Sequence, residues 1–164
     1  MRLNTDAIED SGFFNPRYTY DVDNSSPELR WEDIPENTIG FALTVEDQSA
    51  PQGLFYHWVV YNIPSSVHHL PAGIPPQDTL PNGIRQGING FRKLGYAGPF
   101  PPDSDLPHRY VFRLYALNEM PVLPNRSTAE QLLEAIRDRI VGVSEFSGMY
   151  AQDSHAGRQI QRAG

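Results

Sequence analysis

Proline and glycine interrupt this chain so regularly that long helices have almost no room. Fifteen prolines and thirteen glycines are scattered rather than blocked, and short apolar runs rich in β-branched and aromatic residues lie between them. Proline removes a backbone donor and glycine weakens an element interior, so such punctuation predicts a mostly-β domain with long, shaped loops. Phe41–Val45, extended backwards to Ile39, and Tyr56–Ile63 read as buried strands because they are nearly continuously apolar; Tyr110–Leu117 is a third. No repeat and no low-complexity tract is present.

The stretch from Pro64 to Asn89, with Pro71, Pro75, Pro76 and Pro81, is long and polar. An excursion of that length usually shapes a site or covers an edge. One helix is predicted, from Thr128 to about Val141. Ser127 serves there as N-cap with Glu130 three residues on, Leu132, Leu133, Ile136 and Ile140 lie on one face, and Gly142 is the stop. Val143–Tyr150 reads as a returning strand. The length suits one domain over 1–150, followed by a polar tail over 151–164 whose basic residues Arg158 and Arg162, with His155, are too few to mark a partner site.

Charge removes several functions. Thirteen basic against twenty acidic residues give a formal net charge of −7, and phosphate backbones demand clustered Lys and Arg, so no nucleic-acid partner is expected. The absence of cysteine removes disulfides, thiol catalysis and cysteine-ligated zinc. Asp6, Glu9 and Asp10 near the start, with no apolar stretch, do not resemble a signal peptide. With no run of about 18 apolar residues for a membrane helix, a soluble cytoplasmic protein is expected.

Chemistry concentrates around Gly95-Tyr96-Ala97-Gly98-Pro99-Phe100-Pro101-Pro102, a rigid loop that leads through Pro107 into His108-Arg109-Tyr110. Strand alternation places His108 and Tyr110 on one face with Phe112, Leu114 and Ala116, while Arg109 and Arg113 point to the other. By the same rule His57 shares a face with Val59, Tyr61 and Ile63, and Asp47 ends its strand just before Ala50-Pro51. If these strand ends adjoin, Asp47, His57 and His108 converge at one mouth. A carboxylate there can fix imidazole tautomers, so that the opposite ring nitrogens address an anion. From the pattern alone, His57 and His108 read first as structural histidines and Asp47 as a turn-former. His68-His69 reads as a solvated loop pair, Arg92-Lys93 as a solvated pair beside the site loop, and Trp31 and Trp58 as core.

Read together, Ser26-Pro27-Glu28-Leu29-Arg30-Trp31, Val45-Glu46-Asp47-Gln48-Ser49-Ala50-Pro51, Tyr56-His57-Trp58-Val59-Val60-Tyr61-Asn62-Ile63-Pro64, Asn89-Gly90-Phe91, Gly95-Tyr96-Ala97-Gly98-Pro99 and His108-Arg109-Tyr110 resemble the phosphatidylethanolamine-binding protein family. The resemblance is to its bacterial, Raf-kinase-inhibitor-like branch, and it runs from the first residues to Tyr150. It implies a β-sandwich of antiparallel sheets with a C-terminal helix, and an anion pocket at Asp47, His57, Gly98, Pro99, His108 and Tyr110. It also implies a ligand that is a small anion, a phosphorylated group or a phospholipid headgroup, a regulatory partner that is a kinase or protease, and a homodimer. No cofactor is expected.

Two positions depart from the family pattern. Its first motif usually reads Asp-Pro-Asp-Ala-Pro, whereas Ser49 stands here for the second acid, and Leu106 stands for a glycine two residues before the matching histidine. Loss of an acid leaves a less negative pocket and removes a partner for an ethanolamine ammonium. A non-catalytic binding protein is the expectation. The alternatives are a hydrolase or metal-dependent enzyme using Asp47, His57 and His108, and an interaction module with a vestigial pocket.

Overall fold

The computed structural model describes residues 1–102 and 106–152. Its strands are β1 (Arg2–Asn4), β2 (Leu29–Glu32), β3 (Gly40–Asp47), β4 (Phe55–Pro64), β5 (His69–Leu70), β6 (Arg85–Gln86), β7 (His108–Leu117) and β8 (Ile140–Tyr150), with one helix, α1 (Ala129–Ile136), before the last strand. They form two antiparallel sheets, of order β1-β2-β5 and β6-β4-β3-β7-β8. The expected mostly-β architecture of antiparallel sheets is what the chain adopts.

The large sheet is apolar on both faces because each is covered. Phe41, Leu43, Val60, Phe112 and Leu114 pack with Leu3, Leu29, Trp31 and Leu70 of the small sheet. On the opposite face Ala42, Val59, Tyr61, Tyr115 and Leu117 meet Ala129, Leu132 and Ile136 of α1. Central β3 is therefore buried along its whole length, which explains why Phe41–Val45 reads as a nearly continuous apolar run. Trp31 and Trp58 are core residues. The excursion from Pro64 to Asn89 covers edges: β5 completes the small sheet, and β6 flanks β4.

The helix and its cap each begin one residue later than predicted, and the helix ends earlier. Thr128 is the N-cap, accepting from the backbone N–H of Gln131 while Gln131 reaches back to the N–H of Thr128. Thr-x-x-Gln satisfies the capping box as well as Ser-x-x-Glu does, and Ser127 is otherwise engaged. It is buried, with its hydroxyl donating to the Pro124 carbonyl at 2.6 Å and its own carbonyl accepting from Ile88. Ile140 and Gly142 belong to β8, opposite Leu117 and Ala116. The helical face thus ends at Ile136, and the β-branched run that follows pairs with β7. Ala151 and Gln152, read from sequence as the start of a tail, are buried; His155, Arg158 and Arg162 lie outside the described residues.

Candidate functional site

The site stands at the end of the large sheet where β3, β4 and β7 meet. Asp47 is the last residue of β3 and lies in register with Tyr110 of β7, so both side chains leave the sheet on one face, with His108 two residues before Tyr110. In β4, Val45 pairs with Trp58 and Glu46 pairs with Tyr56, leaving His57 as an extra residue between consecutive pairs. This is a β-bulge, and a bulge re-aims a side chain. Strict alternation puts His57 with Val59 and Tyr61, which face α1. The structure corrects this: the His57 ring lies 5.3 Å from that of Tyr110, on the Asp47 side. A second irregularity opposite Ala42, where Asn62 has φ +55°, returns Ile63 to that side.

Three predicted residues converge. Asp47, His57 and His108 line one cavity of about 150 Å³ with Ala50, Pro51, Phe55, Phe91, Phe100, Pro101 and Pro102. The Asp47 carboxylate does two jobs: Oδ1 accepts from the Ser49 N–H at 2.8 Å and Oδ2 lies 2.7 Å from Nδ1 of His108. The turn-forming and histidine-orienting readings are both realised. His57 Nδ1 donates to the Ala97 carbonyl at 2.8 Å. A carbonyl only accepts, so this bond fixes the tautomer of neutral His57 with its proton on Nδ1. Burial, partly offset by the Ala97 carbonyl and by Asp47, lowers the His57 pKa below the ordinary histidine value.

Tyr110 is fully buried, its ring 5.3 Å from His57 and 6.4 Å from His108; its hydroxyl makes no hydrogen bond of good geometry, although the Asp47 carboxylate and the Phe100 backbone lie beside it. Burial and the nearby Asp47 charge push the phenol above its usual value, so it stays protonated and able to donate.

Gly98 and Pro99 support the wall from behind. A Cβ on Gly98 would lie 2.2 Å from the Tyr18 carbonyl oxygen. The absent side chain therefore admits the chain's own backbone. The Gly98 N–H donates to Asn24 Oδ1 at 2.7 Å, and the Pro99 carbonyl accepts from Tyr20. The resemblance places Gly98 in the anion pocket, but its backbone N–H is already engaged. Ser49 and Leu106, the two departures, also leave the cavity: Ser49 Oγ accepts from the Arg109 N–H at 3.0 Å, and Leu106 is 79% exposed.

The remaining candidates lie elsewhere. His68 meets the Ser65 carbonyl, whereas His69 pairs with Glu28. Arg92 and Lys93 border two other recesses. The larger recess of about 520 Å³, with Val67, Leu70, Ile74, Leu80 and Ile84 in its wall, contains none of the predicted site residues. Among the described residues, no three His, Asp or Glu side chains are grouped to hold a metal ion.

Sequence reasoning missed the aromatic wall. Asn89 shapes it by donating to the Gly95 carbonyl and accepting from the N–H groups of Phe91 and Lys93, which fixes the loop carrying Phe91. Phe55 packs on Phe91 at 4.9 Å, over Gly90, where a Cβ would strike the Phe55 ring. The Asn89-Gly90-Phe91 block was the available signal. Nothing local marked Asn24 or the Ala97 carbonyl as partners.

The same scaffold occurs in a solved structure of Escherichia coli YbcL, described as a new member of the mammalian PEBP family. The two superpose with a TM-score of 0.84 at 30% identity, over 92% of this chain and 97% of YbcL. The family model for phosphatidylethanolamine-binding protein matches residues 4–151. The chain belongs to the phosphatidylethanolamine-binding protein (PEBP) family. A PEBP homologue from Chlamydia trachomatis superposes with a TM-score of 0.81 at 32% identity, over 93% of this chain and 97% of that one. A UPF0098 protein of Methanothermobacter thermautotrophicus is 39% identical over 150 residues, spanning 92% of this PEBP chain and 98% of that protein. Among the described residues no helix is long and apolar enough to cross a membrane.

Proposed function

We propose that this chain is a non-catalytic binding protein for small oxyanions, above all phosphate groups, seated in the Asp47–His57–His108 cavity. One observation carries the reading: two buried imidazoles line one cavity, each with Nδ1 held by a fixed partner, Ala97 for His57 and Asp47 for His108. Rings held in this way are pre-organised, and an arriving anion orders nothing further. Tyr110, fully buried behind these rings and outside the cavity lining, is the third donor in this reading. A free phosphate, a phosphorylated small molecule, a phospholipid headgroup and a phosphorylated side chain of a protein partner share this chemistry.

The test is calorimetric titration at low salt with inorganic phosphate, O-phosphoserine and a short-chain phospholipid. Wild type binds at least one of them, and His108→Ala weakens binding by about 1.5 to 3 kcal/mol through loss of a charge-assisted hydrogen bond. His68→Ala leaves it unchanged. Equal binding by wild type and the His57→Ala, His108→Ala double variant defeats the proposal.

A further inference from the structure

The cavity wall has an unusual charge for an oxyanion seat. Among the described residues its lining includes no Lys or Arg and Asp47 is the one formally ionised side chain, and the chain as a whole carries −7. The bond to Ala97 obliges neutral His57 to carry its hydrogen on Nδ1, so Nε2 holds a lone pair. A lone pair repels an oxyanion. The ring is nearly buried and cannot turn over without abandoning the Ala97 carbonyl in a buried place, which is costly.

We infer that His57 takes up one proton from solvent when an oxyanion enters the cavity, so that capture and protonation are a single coupled event. This rests on the proposed oxyanion reading. The balance is simple: an N–H bond forms at Nε2, the proton comes from the buffer, and imidazole becomes imidazolium opposite the arriving negative charge. Nδ1 keeps its hydrogen and its bond to Ala97 throughout. His57 then becomes the residue that sets the pH range of binding.

The groups around the ring support this direction. From β3, Asp47 favours the charged ring, whereas His108 on β7 acts against it. Tyr110, also on β7, stays neutral, and Phe55 and Phe91 contribute aromatic rings without titratable groups. In the empty cavity burial outweighs Asp47 and holds His57 neutral. An oxyanion adds the missing attraction, because opposite charge favours the ionised form.

Sulfate is the probe that isolates the protein's proton, since its own charge does not change near neutrality. Calorimetry at pH 7.5, in two buffers of different ionisation enthalpy, reads the number of protons taken up with each sulfate bound. Wild type takes up close to one, and its sulfate affinity falls about tenfold per pH unit as pH rises. His57→Asn, whose amide replaces the donor to Ala97, binds weakly with uptake near zero. Sulfate binding by wild type without proton uptake, or with a flat pH profile, overturns the inference while leaving the oxyanion site intact. Undiminished uptake in His57→Asn also overturns it, by moving the proton to another group. Failure of sulfate and phosphate to bind at any pH removes the oxyanion reading itself and this inference with it.

Discussion

Asp47 and His108, 61 positions apart in the chain, meet at 2.7 Å because the last residue of β3 and the first residue of β7 come to the same end of the sheet. Both are nearly buried. The pair is as much part of the scaffold as of the site, since the other Asp47 oxygen closes the turn through the Ser49 N–H.

Asp47→Ala strands both the Ser49 N–H and His108 Nδ1. An expected loss of about 3 kcal/mol in chemical denaturation follows from breaking a buried pair by removing one partner. Asp47→Asn is the gentler change. Its amide oxygen can still close the turn, but its NH₂ now faces His108, so Nδ1 must accept and the imidazole proton moves to Nε2. Nitrogen chemical shifts of His108 report that tautomer exchange directly.

Tyr110→Phe separates binding from stability. The hydroxyl is buried and makes no hydrogen bond of good geometry, so its deletion leaves folding stability within about 0.5 kcal/mol or raises it. Phosphate affinity, in contrast, falls about tenfold through loss of one hydrogen bond to a charged group. A variant that loses stability without losing affinity shows that the hydroxyl serves the core.

The lowered His57 pKa predicts an acid-side loss of stability. Between the folded-state value and the unfolded value of about 6.5, the unfolded chain holds a proton that the folded chain does not. The neutral ring's contribution is therefore fully present above about 6.5 and declines as pH falls through that window. The slope of unfolding free energy against pH between 7 and 5, in wild type minus His57→Asn, is expected to be positive.

Gly98→Ala meets backbone, not a yielding side chain: the Tyr18 carbonyl at 2.2 Å and the Thr19 carbonyl carbon at 2.8 Å. Overpacking of this kind costs about 1 to 3 kcal/mol. The expected readout is a lowered melting temperature, with the loop that follows displaced and phosphate binding weakened as a consequence.

At the helix, Thr128→Ala removes the N-cap and is expected to cost about 1 kcal/mol by denaturant titration. Glu130→Ala, outside the capping box, changes stability by no more than about 0.5 kcal/mol. Reversal of that order restores Ser127 as the cap.

Strands announce themselves through burial, and here burial on both faces made β3, β4 and β7 legible as apolar runs. The small sheet was less so, because β1 and β5 have three and two residues and owe their existence to pairing with β2. The convergence of Asp47, His57 and His108 was readable only as a condition on strand adjacency, and the reasons for it were partly different. Period-two alternation sends His57 to the helix side, and no local residue pattern marks the bulge that turns it back. A glycine such as Gly98 permits close approach, but sequence says nothing about which backbone approaches, and here it is Tyr18–Thr19.

That bulge makes the site separable from its scaffold by a single codon. A chain without position 57 would place Tyr56 and Trp58 in successive pairs with Glu46 and Val45, giving a regular ladder, the same apolar layers and His108 as the one imidazole left beside Asp47. Insertion or deletion at one point in β4 is therefore a switch between a two-imidazole and a one-imidazole version of one fold. Relatives of equal overall similarity are best sorted by strand length between the partners of Val45 and Glu46 before any shared chemistry is assumed.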